Sequence, residues 1–207
     1  MTLLPHTIGL ILAGGRSHRM QGQDKALLTV QGETLLTHAI RRLRPQVDAI
    51  ALNSNNVPGA FAAYNLAVLP DQLAGFLGPL AGIHSGLAQY PEDFLVTAAV
   101  DLPFLPPDLV ARLRAGLEAK PCAYASDGER HALALLWRPG MAASVEDYLQ
   151  RGGRNLRDYL SAHGQAVQFC QPQDRGLFFN LNTPEDLARA EHDAELPATN
   201  SIADERN

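Results

Sequence analysis

The sequence predicts an α/β domain, a mostly parallel sheet in three layers with helices on both faces. Three observations predict it. Continuous apolar runs at 8–13 and 94–100 end at glycine or aspartate, as buried parallel strands do at the carboxyl edge of a sheet. Segments of helical period stand between such runs. The chain has 207 residues, 46% hydrophobic and 19% charged, which suits one globular domain of ordinary size.

The elements follow in order. Residues 8–13 form a strand that stops at Gly14-Gly15. Residues 34–43 form a helix, with Leu35, Leu36, Ala39, Ile40 and Leu43 on one face. Arg41, Arg42 and Arg44 close it, where cations suit the helix dipole. Strands are expected at 47–52 and 66–69, the latter ended by Pro70-Asp71. A loop over 75–82 runs into a helix reaching about Gln89, with Pro79 in its first turn. After the strand at 94–100, a helix is expected at 106–117.

The second half is less regular. Strands at 122–125 and 132–137 flank an exposed turn at Asp127-Gly128-Glu129. Helices are expected at 141–150 and 155–162, and short strands at 166–170 and 177–179. The last helix, 183–192, begins with Thr183 as N-cap, Pro184 at N1 and Asp186 at N3. A single domain over 1–193 and a disordered tail over 194–207 are expected, because the tail lacks any apolar period.

Bulk properties exclude several function classes. A net charge of −5 argues against a surface that coats nucleic acid. No apolar stretch at the N-terminus is long enough for a signal peptide or membrane span, so the cytoplasm is expected. Cys122 and Cys170 lack C-x-x-C spacing, and buried free thiols are expected. The seven histidines show no metal-ligand spacing, and none is assigned a catalytic role.

Chemistry concentrates in the loop LAGGRSHRMQGQDK at 12–25. It follows a buried strand, so it lies at the carboxyl edge, where open α/β sheets bind ligands. Its glycines let backbone N–H groups approach phosphate oxygens. Arg19 and Lys25 add positive charge, and Arg16 is a third cation in the loop. The string matches neither G-x-x-x-x-G-K-[ST] nor G-x-G-x-x-G. Asp101 ends an apolar strand on the same edge, where a hard oxygen ligand suits Mg²⁺ bound to substrate phosphates. A helix cap is the other reading of Asp101, and its spacing from Pro106 makes that awkward. Asn53 and Asp71 follow the second and third strands. Taken alone, they read as turn residues.

The loop resembles the L-A-G-G-x-S-x-R-M-x-G-x-D-K signature of the molybdenum cofactor guanylyltransferases, the MobA family, within the Rossmann-like nucleotidyltransferase fold. The resemblance continues in GPLAG at 78–82, DLPFLPP at 101–107, DGER at 127–130 and NLNTPEDL at 180–187. Two departures are Gln21, where many members have glycine, and His131-Ala132, where the family often has His-Pro. The resemblance implies GTP and molybdopterin as substrates, Mg²⁺ as cofactor, and molybdoenzyme chaperones as candidate partners of a monomer.

It also implies residue roles. Lys25, Arg19 and Asp101 would carry catalysis, with Asp101 as metal ligand. Leu12, Ala13, Gly14, Gly15, Gly22, Lys25, Asn53, Asp71 and Asp101 would bind GTP in the N-terminal half. An Asp71 carboxylate would accept from the N1–H and 2-amino edge of guanine. Gly78, Gly82, Asn180 and Asn182 would bind molybdopterin in the C-terminal half. Asn180 and Asn182 would share one face of a strand end. Arg154 and Arg157 would meet the pterin phosphate or sit on a solvated helix face. The alternatives are a related cytidylyltransferase and a carrier that binds nucleotide or cofactor without catalysis.

Overall fold

The computed structural model describes residues 5–13, 19–20, 23–56, 59–75 and 78–192, with backbone alone at 19, 20 and 23. The tail expected at 194–207 lies outside the described residues, as do Gly14, Gly15, Arg16 and Gly22 and the side chain of Arg19.

The strands are β1 (Thr7–Leu12), β2 (Arg19–Met20), β3 (Gln23–Asp24), β4 (Thr29–Val30), β5 (Glu33–Thr34), β6 (Ala49–Asn53), β7 (Ala67–Leu69), β8 (Phe94–Ala99), β9 (Cys122–Ser126), β10 (Arg130–Trp137) and β11 (Gly164–Gln168). The helices are α1 (Leu35–Leu43), α2 (Pro79–Gln89), α3 (Leu109–Ala115), α4 (Ala142–Gln150), α5 (Leu156–His163) and α6 (Pro184–His192). Seven strands make one sheet in the order β11-β9-β10-β8-β1-β6-β7. Only β10 runs against the rest, so the sheet is mostly parallel, as the sequence predicts.

Side chains of period two divide the core between the two faces. On β1, Ile8, Leu10 and Leu12 pack with α2, α4 and α5, through Leu80, Ile83, Leu87, Val145, Leu149 and Tyr159. Ile11 points the other way, toward Leu35, Leu36 and Leu43 of α1 and Leu109 and Leu113 of α3. Cys122 and Trp137 fall on the first face, Ala123 and Leu136 on the second. This is the three-layer arrangement that buries both faces of a parallel sheet.

The first layer is unusually close to the sheet at α2. A methyl group placed on Gly86 would stand 2.6 Å from Leu10 and 3.0 Å from Leu95. Glycine there lets the helix backbone lie almost on β1 and β8.

Several boundaries differ from expectation, each for a physical reason. The helix expected at 106–117 begins only at Leu109, because Pro106 and Pro107 form a turn closed by Leu109 N–H on Pro106 O at 3.2 Å. The strand expected at 166–170 is β11 at Gly164–Gln168, set by its parallel register on β9, Gly164 opposite Cys122 through Gln168 opposite Ser126. Residues 177–179 are no strand. Leu177 and Phe178 are buried side by side in a turn that follows Gly176 at φ 76°. The hairpin β4–β5 was not anticipated. It turns on Gln31 and Gly32, both at positive φ, and its strands are too short to show a period.

Both cysteines are free. Cys122 is buried and Cys170 is exposed, against the expectation of two buried thiols. Burial pushes the Cys122 thiol up to about 12. Iodoacetamide at neutral pH is therefore expected to label Cys170 in the native protein and Cys122 only after denaturation. Mass spectrometry that finds native Cys122 alkylated would contradict this core.

Candidate functional site

The carboxyl ends of four strands are level. Leu12 of β1 pairs with Asn53 of β6 and Ala99 of β8, and Asn53 pairs with Leu69 of β7. The residues just beyond these ends therefore share one edge. Ala13 N–H donates to Asn53 O at 3.0 Å, and Val100 N–H to Leu12 O at 3.1 Å, which extends the ladder to the brink of the loop. Leu12 and Ala13 are buried there.

Lys25 returns to this edge on a single 3-10 turn. Asp24 starts the turn, accepting from Ala26 N–H at 2.9 Å on one carboxylate oxygen. Its other oxygen accepts from the Asn56 side chain, which ties the turn to the segment after β6. Lys25 is only 7% exposed. Its ammonium donates to Asp101 Oδ2 at 2.9 Å and to Asn182 Oδ1 at 2.7 Å. The ammonium has three donors, so one stays available among the described residues. Asp101 Oδ1 is buried and has no hydrogen-bond partner among the described residues. A buried carboxylate oxygen left bare is costly unless something else binds it. That oxygen suits a hard divalent cation such as Mg²⁺. No group of three His, Cys, Asp or Glu side chains gathers to hold a metal among the described residues, so an ion here would take its remaining ligands from substrate and water.

Asn53 and Asp71 also meet. Asn53 Nδ2 donates to Leu69 O and to Asp71 Oδ1, both at 3.0 Å. Asn55 Nδ2 donates to Asp71 Oδ2 at 2.8 Å. They are more than strand-end turn residues, because their side chains form one hydrogen-bonded group.

The expected second group divides. Residues 180–182 are not a strand, so strand alternation does not orient Asn180 and Asn182. Leu181 N–H donates to Asp101 O at 3.0 Å and is itself fully buried. This pins the segment, with Asn182 on Lys25 and Asn180 in an adjoining cleft. Below them the segment runs into α6, where Thr183 and Asp186 exchange hydrogen bonds of 2.8 and 3.1 Å as a capping box. Gly82 lies apart from the cleft, on the buried side of α2 against Asn53. Gly78 caps α2 at φ 68°, close to the Arg154 carbonyl on the cleft's rim.

The open cleft measures about 820 Å³ and includes Leu102, the neighbour of Asp101. Arg130, Arg154 and Arg157 line it, facing Asp127 and Glu129. Arg154 donates to Leu149 O at 2.6 Å, capping the end of α4, so it is fixed rather than freely solvated. Arg130 donates to Arg157 O at 2.7 Å and Ser161 Oγ at 2.8 Å.

His131 is the cleft residue that motif spacing missed. It stacks on Phe178 with ring centroids 4.3 Å apart, and its Nε2 donates to Asp127 Oδ1 at 2.7 Å. The hints in the sequence were its place beside the DGER string and the family's frequent His-Pro at 131–132. His38, by contrast, is structural. It is fully buried, bonds Val30 O at 2.8 Å, and burial holds its pKa below the usual value.

The family model for the MobA-like NTP transferase domain matches residues 9–167. Molybdenum cofactor guanylyltransferases of Yersinia pestis and Yersinia pseudotuberculosis are 42% identical over 184 residues, covering 88% of this chain and 93% of theirs. The molybdopterin-guanine dinucleotide biosynthesis protein A of Archaeoglobus fulgidus superposes with a TM-score of 0.71 at 24% identity, over 89% of this chain and 96% of that one. A nucleotidyl transferase from Methanothermobacter thermautotroptrophicus gives 0.67 at 20% identity, over 90% and 96%. At those identities the two structures show the shared fold.

Proposed function

Since the chain belongs to the MobA-like NTP transferase family, we propose that it transfers GMP from GTP to molybdopterin, forming the guanine dinucleotide form of the cofactor and releasing pyrophosphate. The observation that carries this reading is the Lys25–Asp101–Asn182 group, with a buried lysine and one buried carboxylate oxygen bare among the described residues, beside an arginine-lined cleft.

An oxygen of the molybdopterin phosphate attacks the α-phosphorus of GTP. The bond from that phosphorus to the β-phosphate oxygen breaks, and pyrophosphate leaves. Two anions must meet, so catalysis is charge neutralisation and in-line positioning, without a protein nucleophile. Lys25 offers its third N–H to a phosphate oxygen. It is held for that task by Asp101 and Asn182, so it is ordered before substrate arrives. Gly14, Gly15, Gly22 and Arg19 supply the other phosphate contacts on the sequence reading. Asp101 Oδ1 would hold Mg²⁺, which supplies further neutralisation of the phosphates when bound.

Asn53 and Asp71 take the guanine base in the N-terminal half. The cleft takes molybdopterin in the C-terminal half, with Arg154, Arg157 and Asn180 suited to its phosphate and polar groups and Gly78 at its rim. Gly82 has no part in that cleft in this reading. No helix among the described residues is long and apolar enough to cross a membrane. Two free thiols suit a cytoplasmic setting, and the reading extends to a monomer that passes product to molybdoenzymes or their chaperones.

A pyrophosphate-release assay with Mg²⁺, molybdopterin and either GTP or CTP tests the proposal. Release with GTP and little with CTP is expected. Release with CTP in preference would make the protein a cytidylyltransferase. Nucleotide binding without release in either case would make it a carrier.

A further inference from the structure

Asp71 reaches the nucleotide site on a turn, where no strand or helix fixes its side chain. Two amides fix it instead. Asn53 Nδ2 donates to Oδ1 at 3.0 Å, and Asn55 Nδ2 donates to Oδ2 at 2.8 Å. Asn55 also accepts the Asp71 backbone N–H on its own oxygen at 2.8 Å, so it grips both ends of the residue. Asn53 is 3% exposed and has little freedom to move. Its amide occupies the space left by Gly82, where an added methyl group would stand 2.1 Å from Oδ1 and 2.5 Å from Cγ.

The count of hydrogen-bond positions matters here. A carboxylate offers roughly four lone-pair positions, two on each oxygen. Each amide takes one, leaving one open on each oxygen among the described residues. Guanine presents two donors side by side, N1–H and the 2-amino group. Hypoxanthine keeps only the first. Adenine and cytosine place an acceptor at the corresponding ring nitrogen. Amide donors also orient Asp71 without neutralising it. A lysine or arginine in their place would compete with the base for the same oxygens.

We infer that Asn55 and Gly82 are specificity-determining residues for guanine. Asn55 holds the Asp71 carboxylate edge toward the base. Gly82 makes room for the Asn53 amide that holds the other oxygen. Both are positioning residues, acting through Asp71 without touching the base. The inference rests on the proposal that Asp71 meets guanine, and it moves Gly82 from the second-substrate group to the base pocket.

The test is calorimetric titration of the full-length protein with GTP and with ITP, in Mg²⁺. The wild-type protein is expected to prefer GTP by about tenfold or more, since ITP leaves one carboxylate position unmet. Asn55→Ala and Gly82→Ala are each expected to shrink that ratio about threefold or more, with ITP weakened less than GTP. A merely structural role would weaken both nucleotides by one factor and leave the ratio unchanged, and that result would overturn the inference. Asn55 is exposed, so its variant decides the matter if Gly82→Ala fails to fold. A wild-type protein with no preference for GTP over ITP would remove the proposed Asp71 contact to the guanine 2-amino group and this inference together. A preference that both variants retain would remove this inference alone.

Discussion

Lys25→Ala is expected to lower kcat/KM by about 10²–10³, the usual size when a preorganised electrostatic group is lost. The side chain is nearly buried, and two partners hold its ammonium in place. Alanine removes the cation and leaves Asp101 Oδ2 and Asn182 Oδ1 without their donor. Asp101→Asn is expected to cost a similar factor and to raise the Mg²⁺ concentration needed for half-maximal rate. The two residues act as one unit, so the double variant should lose far less than the product of the two single losses. Initial rates of pyrophosphate release, with thermal melts to confirm folding, measure all three. Wild-type-like turnover in folded Lys25→Ala would sink the assignment.

Arg112→Ala is expected to destabilise the fold by about 3 kcal/mol, the lower end for stranding one partner of a buried ion pair. Asp174 is 3% exposed and accepts from the Arg112 guanidinium at 2.7 and 2.9 Å, with the Gln171 N–H at 3.0 Å as its other donor. The arginine is itself 23% exposed along its side chain, which sets the estimate at the lower end. It also bonds Gln168 O at 2.9 Å and stacks 3.7 Å over Phe169. These contacts anchor the start of the segment that delivers Phe178, Asn180 and Asn182 to the site. Urea unfolding near neutral pH measures the change, and a loss below about 0.5 kcal/mol, the range of ordinary surface substitutions, would refute the account.

The pH dependence of that pair has a definite sign. The Arg112 guanidinium holds the Asp174 carboxyl below its ordinary value of 3.8. The folded state thus binds its proton less readily than the unfolded state. The pair's contribution is fully present above the ordinary value and is lost as pH falls through the lower, folded one. In acid, the wild-type protein's stability lead over Arg112→Ala should narrow to what the Gln168 and Phe169 contacts supply.

Much of the fold was legible because its causes are local. Apolar runs, helical period, Pro79 at the start of α2 and the Thr183–Asp186 cap are all written within a few residues. The failures fall where local pattern says little. Residues 177–179 are apolar because they pack beside Phe169 and His131, and a buried turn has the same composition as a short strand. The start of β11 depends on β9, which lies far away in the chain.

The candidate site divides the same way. Composition and spacing alone led to the expectation of a phosphate-binding loop at the carboxyl edge, with Lys25, Asp101 and Asp71 beyond strand ends and Asn53 at the end of one. That follows from strand periodicity and the placement of glycines. Only the tertiary structure decided which of these side chains meet. Asn182 reaches Lys25 across 157 residues, His131 stacks on Phe178, and Gly82 yields its space to Asn53. Those meetings depend on the order of strands in the sheet and on how closely α2 approaches it. Neither quantity is local to any stretch of sequence, so no motif could carry them.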